Sequence, residues 1–148
     1  MKMSLSELLK KGSVKRVEPD AMLASKMLSR AEEAAVAAKD VQKIRRNDVA
    51  LPTAYDAMLN AGMALMAAKG YRAESEGHHK TIVEFCADNL GKEASGLVQA
   101  FNRYRMRRHD IVYGEVERKD ITEAEALDAI AKADGFIKAV RERVSPSA

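Results

Sequence analysis

Apolar residues recur at alternating steps of three and four along most of this chain. One such series is Leu23, Met27, Ala31, Ala34, Ala38 and Val41. This spacing places side chains on one face of an α-helix, because an α-helix has about 3.6 residues per turn. Alanine is abundant, tryptophan is absent and clusters of β-branched residues are scarce, which also favours helices. The sequence therefore predicts an all-α protein.

Capping signals predict where the first helices begin and end. Ser4 and Glu7 have the spacing of a capping box, which predicts a short first helix that stops at Gly12. Residues 14–18 are expected to form an irregular connector, and Asp20 is expected to start the long second helix. We expect no β-strand in the chain.

Four further helices are predicted after the second one. The third is predicted to begin around Pro52, because proline suits the first turn of a helix, and to end at Gly70. Residues 71–77 are predicted to form a loop before a shorter fourth helix. The fifth is predicted to span about 93–112, and a second capping box, which starts at Thr122, opens the sixth.

These helices predict an antiparallel up-and-down bundle of four long helices with one or two short ones, in a single domain over residues 1–148. Residues 1–18 would supply the short N-terminal helix and its connector, and residues 145–148 a frayed tail. The sixth helix is expected to bury one apolar face, which consists of Leu127, Ile130, Ile137, Val140 and Val144.

Charge, cysteine content and hydropathy indicate where the protein is located and which partners it can bind. The chain has 25 Lys and Arg against 22 Asp and Glu, a net charge of +3, so nucleic-acid affinity would have to come from local clustering. The single cysteine, Cys86, excludes an internal disulfide and a cysteine-based zinc site. The sequence shows neither a secretion signal nor a run of membrane-spanning length. We therefore expect a soluble cytoplasmic protein with no membrane contact.

The densest positive charge lies near the end of the predicted fifth helix. Four arginines and a histidine fall within seven residues, accompanied by two tyrosines: Arg103, Tyr104, Arg105, Arg107, Arg108, His109 and Tyr113. Guanidinium groups bind phosphate in a forked geometry, and histidine transfers protons near neutral pH. We interpret this cluster as a phosphate-binding or catalytic site. The alternative is a solvated helix end, at which Arg107 above all complements the helix dipole.

The other two histidines, His78 and His79, do not predict a metal site. Adjacent side chains point in different directions, and no third ligand stands at helical spacing. We expect them to cap or line the entrance to the fourth helix. No phosphate-binding glycine loop, nucleophile elbow or zinc-protease motif is present, so the sequence argues against nucleotide hydrolysis and proteolysis.

Several segments of the sequence resemble HEPN domains. Residues 54–59 and 67–72, in the predicted third helix, are similar to the central helix of that family, and residues 77–81 are similar to the segment after it. The order of helices leading to a late Arg/His cluster is also similar, so the resemblance covers about residues 20–144. It implies an all-helical bundle, commonly a homodimer, of a kind found in toxin–antitoxin pairs and other RNA-targeting systems.

The resemblance offers two alignments of the catalytic motif. Many HEPN domains are metal-independent ribonucleases whose motif is an arginine and a histidine with four to six residues between them, and Arg103 and His109 are separated by five. Arg105, with Arg108 and Tyr113, fits the pattern of a subgroup that need not cleave RNA. On a straight helix Arg103 and His109 lie about 120° apart, whereas Arg105 and His109 are neighbours.

Two functions are compatible with this resemblance. The first is a metal-independent RNA endonuclease, the toxin of a toxin–antitoxin pair, that acts as a homodimer without a cofactor. His109 would then move a proton, and Arg103 or Arg105 would stabilise the phosphate in the transition state. The alternative is a catalytically silent module that binds RNA, a nucleotide or a partner protein such as a small nucleotidyltransferase antitoxin. The expected RNA- or phosphate-binding residues are Arg108, Tyr104 and Tyr113.

Overall fold

The computed structural model describes residues 3–74 and 78–144. Within these ranges the chain forms six α-helices: α1 (Leu5–Lys11), α2 (Ala21–Lys43), α3 (Asn47–Lys69), α4 (His78–Leu90), α5 (Ser95–Val112) and α6 (Glu123–Val144). Short 3-10 turns at Lys92–Ala94 and Arg118–Asp120 precede α5 and α6. Four helices are long and two are shorter, which confirms the predicted all-α bundle.

The central element of the bundle is α3. Thirteen of its residues are buried, which is more than a single apolar stripe can supply. It is covered by α2, α4, α5 and α6. A helix that is apolar around its circumference needs neighbours on every side, and the bundle provides them.

Ion pairs on the surface show how the outer helices run. Lys39 of α2 lies 2.9 Å from Asp134 of α6, and Glu32 of α2 pairs with Arg141 of α6. Residue numbers fall along α2 as they rise along α6, so the two helices are antiparallel. The short link at residues 44–46 likewise makes α2 antiparallel to α3.

Most of the capping predictions are confirmed. The Ser4 and Glu7 capping box opens α1, and the Asp20 side chain accepts a hydrogen bond of 2.9 Å from the Leu23 backbone N–H. Thr122 and Glu125 exchange the two hydrogen bonds of the second capping box at the start of α6. Local sequence determines these helix ends because each cap satisfies backbone groups that the helix itself leaves unpaired.

The expectation of no strand is wrong. Strand β1 (Val14–Arg16) pairs antiparallel with β2 (Tyr71–Ala73), and Lys15 lies opposite Arg72. These segments were expected to be part of a connector and part of a loop. Three residues are too few to show a strand pattern, and their pairing satisfies backbone groups where the chain passes the end of α3.

The predicted start of α3 at Pro52 is also wrong, because the helix begins at Asn47. Pro52 is its sixth residue and cannot donate the backbone hydrogen bond expected of that position. The helix continues through it, and the Thr53 hydroxyl in the next position donates a hydrogen bond of 2.8 Å to the Val49 carbonyl. Proline therefore lies one turn later than its usual place in a helix.

Two buried faces differ in part from the predicted ones. Ala31 and Ala38 of α2 and Ile130, Ile137 and Val140 of α6 are buried as predicted, but other members of the two predicted stripes are not. The buried residues of α2 are Ala24, Leu28, Ala31, Ala35 and Ala38, whereas Leu23 is 40% exposed. In α6, Leu127 is 47% exposed, and small residues such as Ala126 and Ala129 are buried instead. Two stripes that are one residue apart have the same spacing, so periodicity alone does not choose between them. Close approach to α3 favours the stripe with more alanine.

No helix in the described ranges combines the length and apolarity that crossing a membrane requires. The predicted frayed tail, residues 145–148, lies outside the described residues, as does the 75–77 part of the predicted loop.

Candidate anion-binding site

The basic cluster lies on α5, which buried aromatic residues hold in place. Phe101 is completely buried, and its ring lies 5.7 Å from that of Tyr55 on α3 and 4.9 Å from that of Phe136 on α6. Gly62 of α3 permits this packing, because a Cβ at that position would stand 2.6 Å from the Ile82 Cγ2 and 3.5 Å from the Phe101 ring. The arginines that follow Phe101 along α5 therefore project toward defined neighbours.

One face of α5 meets carboxylates of α6. The Arg107 guanidinium donates two hydrogen bonds, of 2.8 and 2.9 Å, to the Glu125 carboxylate. Arg103 Nη2 lies 3.3 Å from Asp128 Oδ2, and the Tyr104 hydroxyl donates to the same oxygen. The charges of Arg103 and Arg107 are thus compensated within the fold.

These contacts shift the ionisation of the groups on that face. The hydrogen bond from Tyr104 is the main reason that the pKa of Asp128 lies below its ordinary value. Burial, helped by the Asp128 carboxylate, raises the pKa of Tyr104 to about 12. The two hydrogen bonds from Arg107 lower the pKa of Glu125. Both carboxyl groups therefore stay ionised and remain bound to their partners at neutral pH.

The other face of α5 turns toward α3 and α4. Arg105 is partly buried and donates a hydrogen bond of 3.0 Å from Nε to Asn102 on its own helix. The Arg108 guanidinium lies 5.9 Å from the centre of the Tyr55 ring. Within the described ranges neither arginine forms an ion pair with a carboxylate, although Arg108 acts electrostatically on the nearby Asp56. Their charge is therefore available to an external anion.

A buried tyrosine and a histidine complete this face. The Tyr55 hydroxyl is 3.1 Å from His79 Nδ1, and the two groups share a hydrogen bond. Burial raises the pKa of Tyr55 above its ordinary value, against the opposing effect of Arg105 and Arg108. Burial also lowers the pKa of His79, helped by His78 and then by the two arginines. His79 is consequently neutral at pH 7, and its imidazole lies beside two cations.

His109 and Tyr113 occupy a third position, at the C-terminal end of α5. The side chain of His109 is 60% exposed, and its ring centre lies 4.6 Å from that of Tyr113. Nδ1 of His109 is 3.9 Å from the Asp110 carboxylate. Tyr113 is exposed and follows the last residue of the helix.

The structure thus divides the predicted site residues into three groups. Arg105 and Arg108 act on the same pair, the buried Tyr55 and the partly exposed His79. Arg103 and Tyr104 share Asp128 on the opposite face, so Arg103 and His109 are not brought together within one chain. His79 was expected only to cap or line the start of α4, and no spacing in the sequence relates it to residue 55. Its link to the site depends on the packing of α3 against α4.

A separate cavity of about 610 Å³ lies between the N-terminal part of α2, the C-terminal part of α3 and strand β2. Its lining is largely apolar, with Leu23, Met27 and Met66 among the contributing side chains, and includes no residue of α5. The cavity and the basic cluster are therefore different features of the surface.

Comparison with known proteins does not assign this arrangement. No protein-family model matches the chain, and no curated protein matches it. The resemblance to HEPN domains therefore stays a prediction from the sequence.

Proposed function

We propose that this chain is a HEPN-like helical domain that binds RNA through a phosphate site built on Arg105 and Arg108. The observation that carries the proposal is the unequal pairing of the arginines on α5. Arg103 and Arg107 pair with carboxylates, whereas Arg105 and Arg108 lie beside Tyr55 and His79 without an ion-pair partner in the described part of the chain. Two guanidinium groups on one face of a helix, neither of them in an ion pair within the described residues, repel each other, and a bound phosphate relieves that repulsion.

Geometry supports the choice of an anion, and the HEPN resemblance supports RNA as its source. Arg105 and Arg108 are three residues apart on α5, so their side chains lie on adjacent turns of one face. Their guanidinium groups can therefore donate to one phosphate or to two successive phosphates. Tyr113, which follows the last residue of α5, is exposed and offers a ring on which a base can stack.

The same helix supports the proposed homodimer. Met106 and Val112 are large apolar side chains that remain 52% and 45% exposed on α5. A second copy packed two-fold against this part of α5 would bring two basic clusters together. A small nucleotidyltransferase, as the antitoxin of a toxin–antitoxin pair, is the other partner that the resemblance suggests.

Metal-independent RNA cleavage is the second candidate function. The observation that favours it is that His109 is exposed and lies one helical turn after Arg105. His109 would accept the proton of a ribose 2′-hydroxyl, and Arg105 would stabilise the charge on the pentacoordinate phosphate. Arg103 is the weaker candidate for that role, because it would first have to leave Asp128.

A matched pair of double variants tests the binding proposal. Arg105→Gln with Arg108→Gln removes the uncompensated pair, and Arg103→Gln with Arg107→Gln removes the same charge from the other face. Fluorescence anisotropy with a labelled single-stranded RNA should show a loss of affinity of about 100-fold or more for the first variant, because it removes two charged groups and each charged hydrogen bond contributes about 1.5–3 kcal/mol. The second variant should lose much less. Equal losses would show that only overall charge matters, and would contradict the proposal.

Incubation with RNA in EDTA tests the cleavage candidate separately. Cutting by the wild-type protein that disappears in His109→Ala would support the assigned role of His109. Cutting that survives this substitution but disappears in His79→Ala would transfer the role to the imidazole beside Tyr55. If the wild-type protein binds RNA without cutting it, the cleavage candidate is rejected and the binding function remains.

A further inference from the structure

The end of α5 folds back so that two acidic residues lie side by side. Gly114 has a φ of 75°, a left-handed conformation that favours glycine. The Glu115 N–H donates a hydrogen bond of 2.9 Å to the Asp110 carbonyl, and the Gly114 N–H donates one of 3.4 Å to the Ile111 carbonyl. This is the Schellman arrangement, which returns the chain over the last helical turn.

The turn brings three metal-ligating side chains together. His109, Asp110 and Glu115 each present one donor atom, and these three atoms lie within 4.8 Å of one another. The ring of His109 packs against that of Tyr113, with 4.6 Å between their centres, which limits the positions of the imidazole. The three donors therefore converge on the solvent side of the helix end.

We propose that His109, Asp110 and Glu115 form a binding site for a divalent transition-metal ion of the Zn²⁺ class. Zinc binds imidazole nitrogen and carboxylate oxygen at about 2.0–2.2 Å, which places neighbouring donors about 3–3.5 Å apart. The three donor atoms lie within 4.8 Å of one another, so side-chain rotations that move each donor by about 1 Å bring them to the spacing that zinc requires. An imidazole ligand favours zinc over magnesium or calcium, which prefer oxygen ligands alone.

Local electrostatics also favour a cation at this position. The two carboxylates repel each other, and the negative end of the α5 dipole adds to the negative potential there. Arg107 acts on Asp110 from the side, but its guanidinium is bound to Glu125. Three protein ligands leave the remaining coordination positions to water.

This site has a consequence for the cleavage candidate, and that consequence rests on the proposed function. A ring nitrogen of His109 that coordinates a metal cannot also accept a proton. Zinc should therefore suppress any cleavage that depends on His109. Binding of RNA at Arg105 and Arg108 does not use these ligands and should persist.

Zinc titration of the protein alone tests the site. We would follow Zn²⁺ binding by isothermal titration calorimetry and by the imidazole resonances of the three histidines in NMR spectra. The test variant is Asp110→Asn with Glu115→Gln, and the matched control is Glu117→Gln with Glu142→Gln, which removes the same charge from exposed positions.

The expected result is a shift of the His109 resonances and at least tenfold weaker binding in the test variant, with control affinity close to wild type and no comparable response to Mg²⁺. The proposal is overturned if the His109 resonances do not move, or if zinc shifts only His78 and His79. Equal affinity in the test and control variants would also overturn it. Because RNA is absent from the titration, failure here leaves the RNA-binding proposal to its own test.

Discussion

The two faces of α5 carry the same residue type in different surroundings. Toward α6, Arg103 and Arg107 each meet a carboxylate, and the pairs fasten one helix to another. Toward α3 and α4, Arg105 and Arg108 act on a buried tyrosine and a neutral histidine. A run of arginines therefore does not have one role. The partners that the fold places opposite each guanidinium separate a structural charge from one available to a ligand.

The largest effect on stability should come from disturbing the helix packing behind the face of α5 that carries Arg105 and Arg108. In Gly62→Ala the new Cβ would meet Ile82 at 2.6 Å in a fully enclosed position, so we expect a loss of about 1–3 kcal/mol in the free energy of unfolding. Gly135→Ala on α6 is the matched control, since its Cβ would meet only the end of the flexible Leu97 side chain. Alanine's higher helix propensity should make the control neutral or stabilising. Urea unfolding measures both, and similar losses would contradict this view of the packing.

A smaller effect on stability should distinguish the arginines that pair with carboxylates from those that do not. Arg107→Gln removes a bidentate, partly buried ion pair with Glu125 and should lower the free energy of unfolding by about 1 kcal/mol. Arg105→Gln removes a charge with no carboxylate partner in the described chain and should change it by less than about 0.5 kcal/mol. Thermal denaturation of the two variants measures this difference. The prediction is wrong if Arg105→Gln destabilises the protein more than Arg107→Gln does.

The pH dependence of stability should also distinguish the two faces. The pKa of His79 is lowered in the folded protein, so below its ordinary value of 6.5 the unfolded chain takes up a proton first. The free energy of unfolding should therefore fall as the pH drops below about 6.5. His79→Gln should remove this part of the profile. If the two profiles coincide between pH 5 and 7, the proposed environment of His79 is wrong.

At lower pH the face toward α6 should lose its pairs. Glu125 and Asp128 have lowered pKa values in the fold, so their contribution is complete above the ordinary values of 4.5 and 3.8 and is lost as the pH falls below them. Glu125→Gln should flatten this acid limb of the stability curve. Chemical denaturation between pH 5 and 2 measures it, and an unchanged slope in the variant would contradict the assignment.

The smallest effect is expected at Arg103. Its side chain is 56% exposed, and Asp128 keeps Tyr104 and Lys132 as partners when the arginine is removed. Arg103→Gln should therefore change the free energy of unfolding by less than about 0.5 kcal/mol. Differential scanning calorimetry can check this, and a loss as large as that of Arg107→Gln would mean that Arg103 has a larger structural role.

The helices could be predicted because their signals are local. Capping pairs such as Ser4 with Glu7 lie within one turn, and the three-four spacing repeats over many residues. The strand pairing of Val14 with Ala73 joins segments that are far apart in the sequence, and neither segment contains a pattern that predicts its pairing with the other. The same limit applies to the site. The cluster on α5 was visible in the sequence, but the carboxylates opposite Arg103 and Arg107 belong to another helix and become evident only when the helices are packed.

The central position of α3 has a consequence for folding during synthesis. During synthesis α3 leaves the ribosome with only α2 beside it, while the surfaces that α4, α5 and α6 will cover still face water. The last of those surfaces, the one that α6 covers, stays open until the 75 residues from the end of α3 at Lys69 to the end of α6 at Val144 have been added. Nascent chains stalled before that point should bind general chaperones that recognise apolar segments, and release from them should coincide with the emergence of the last helix.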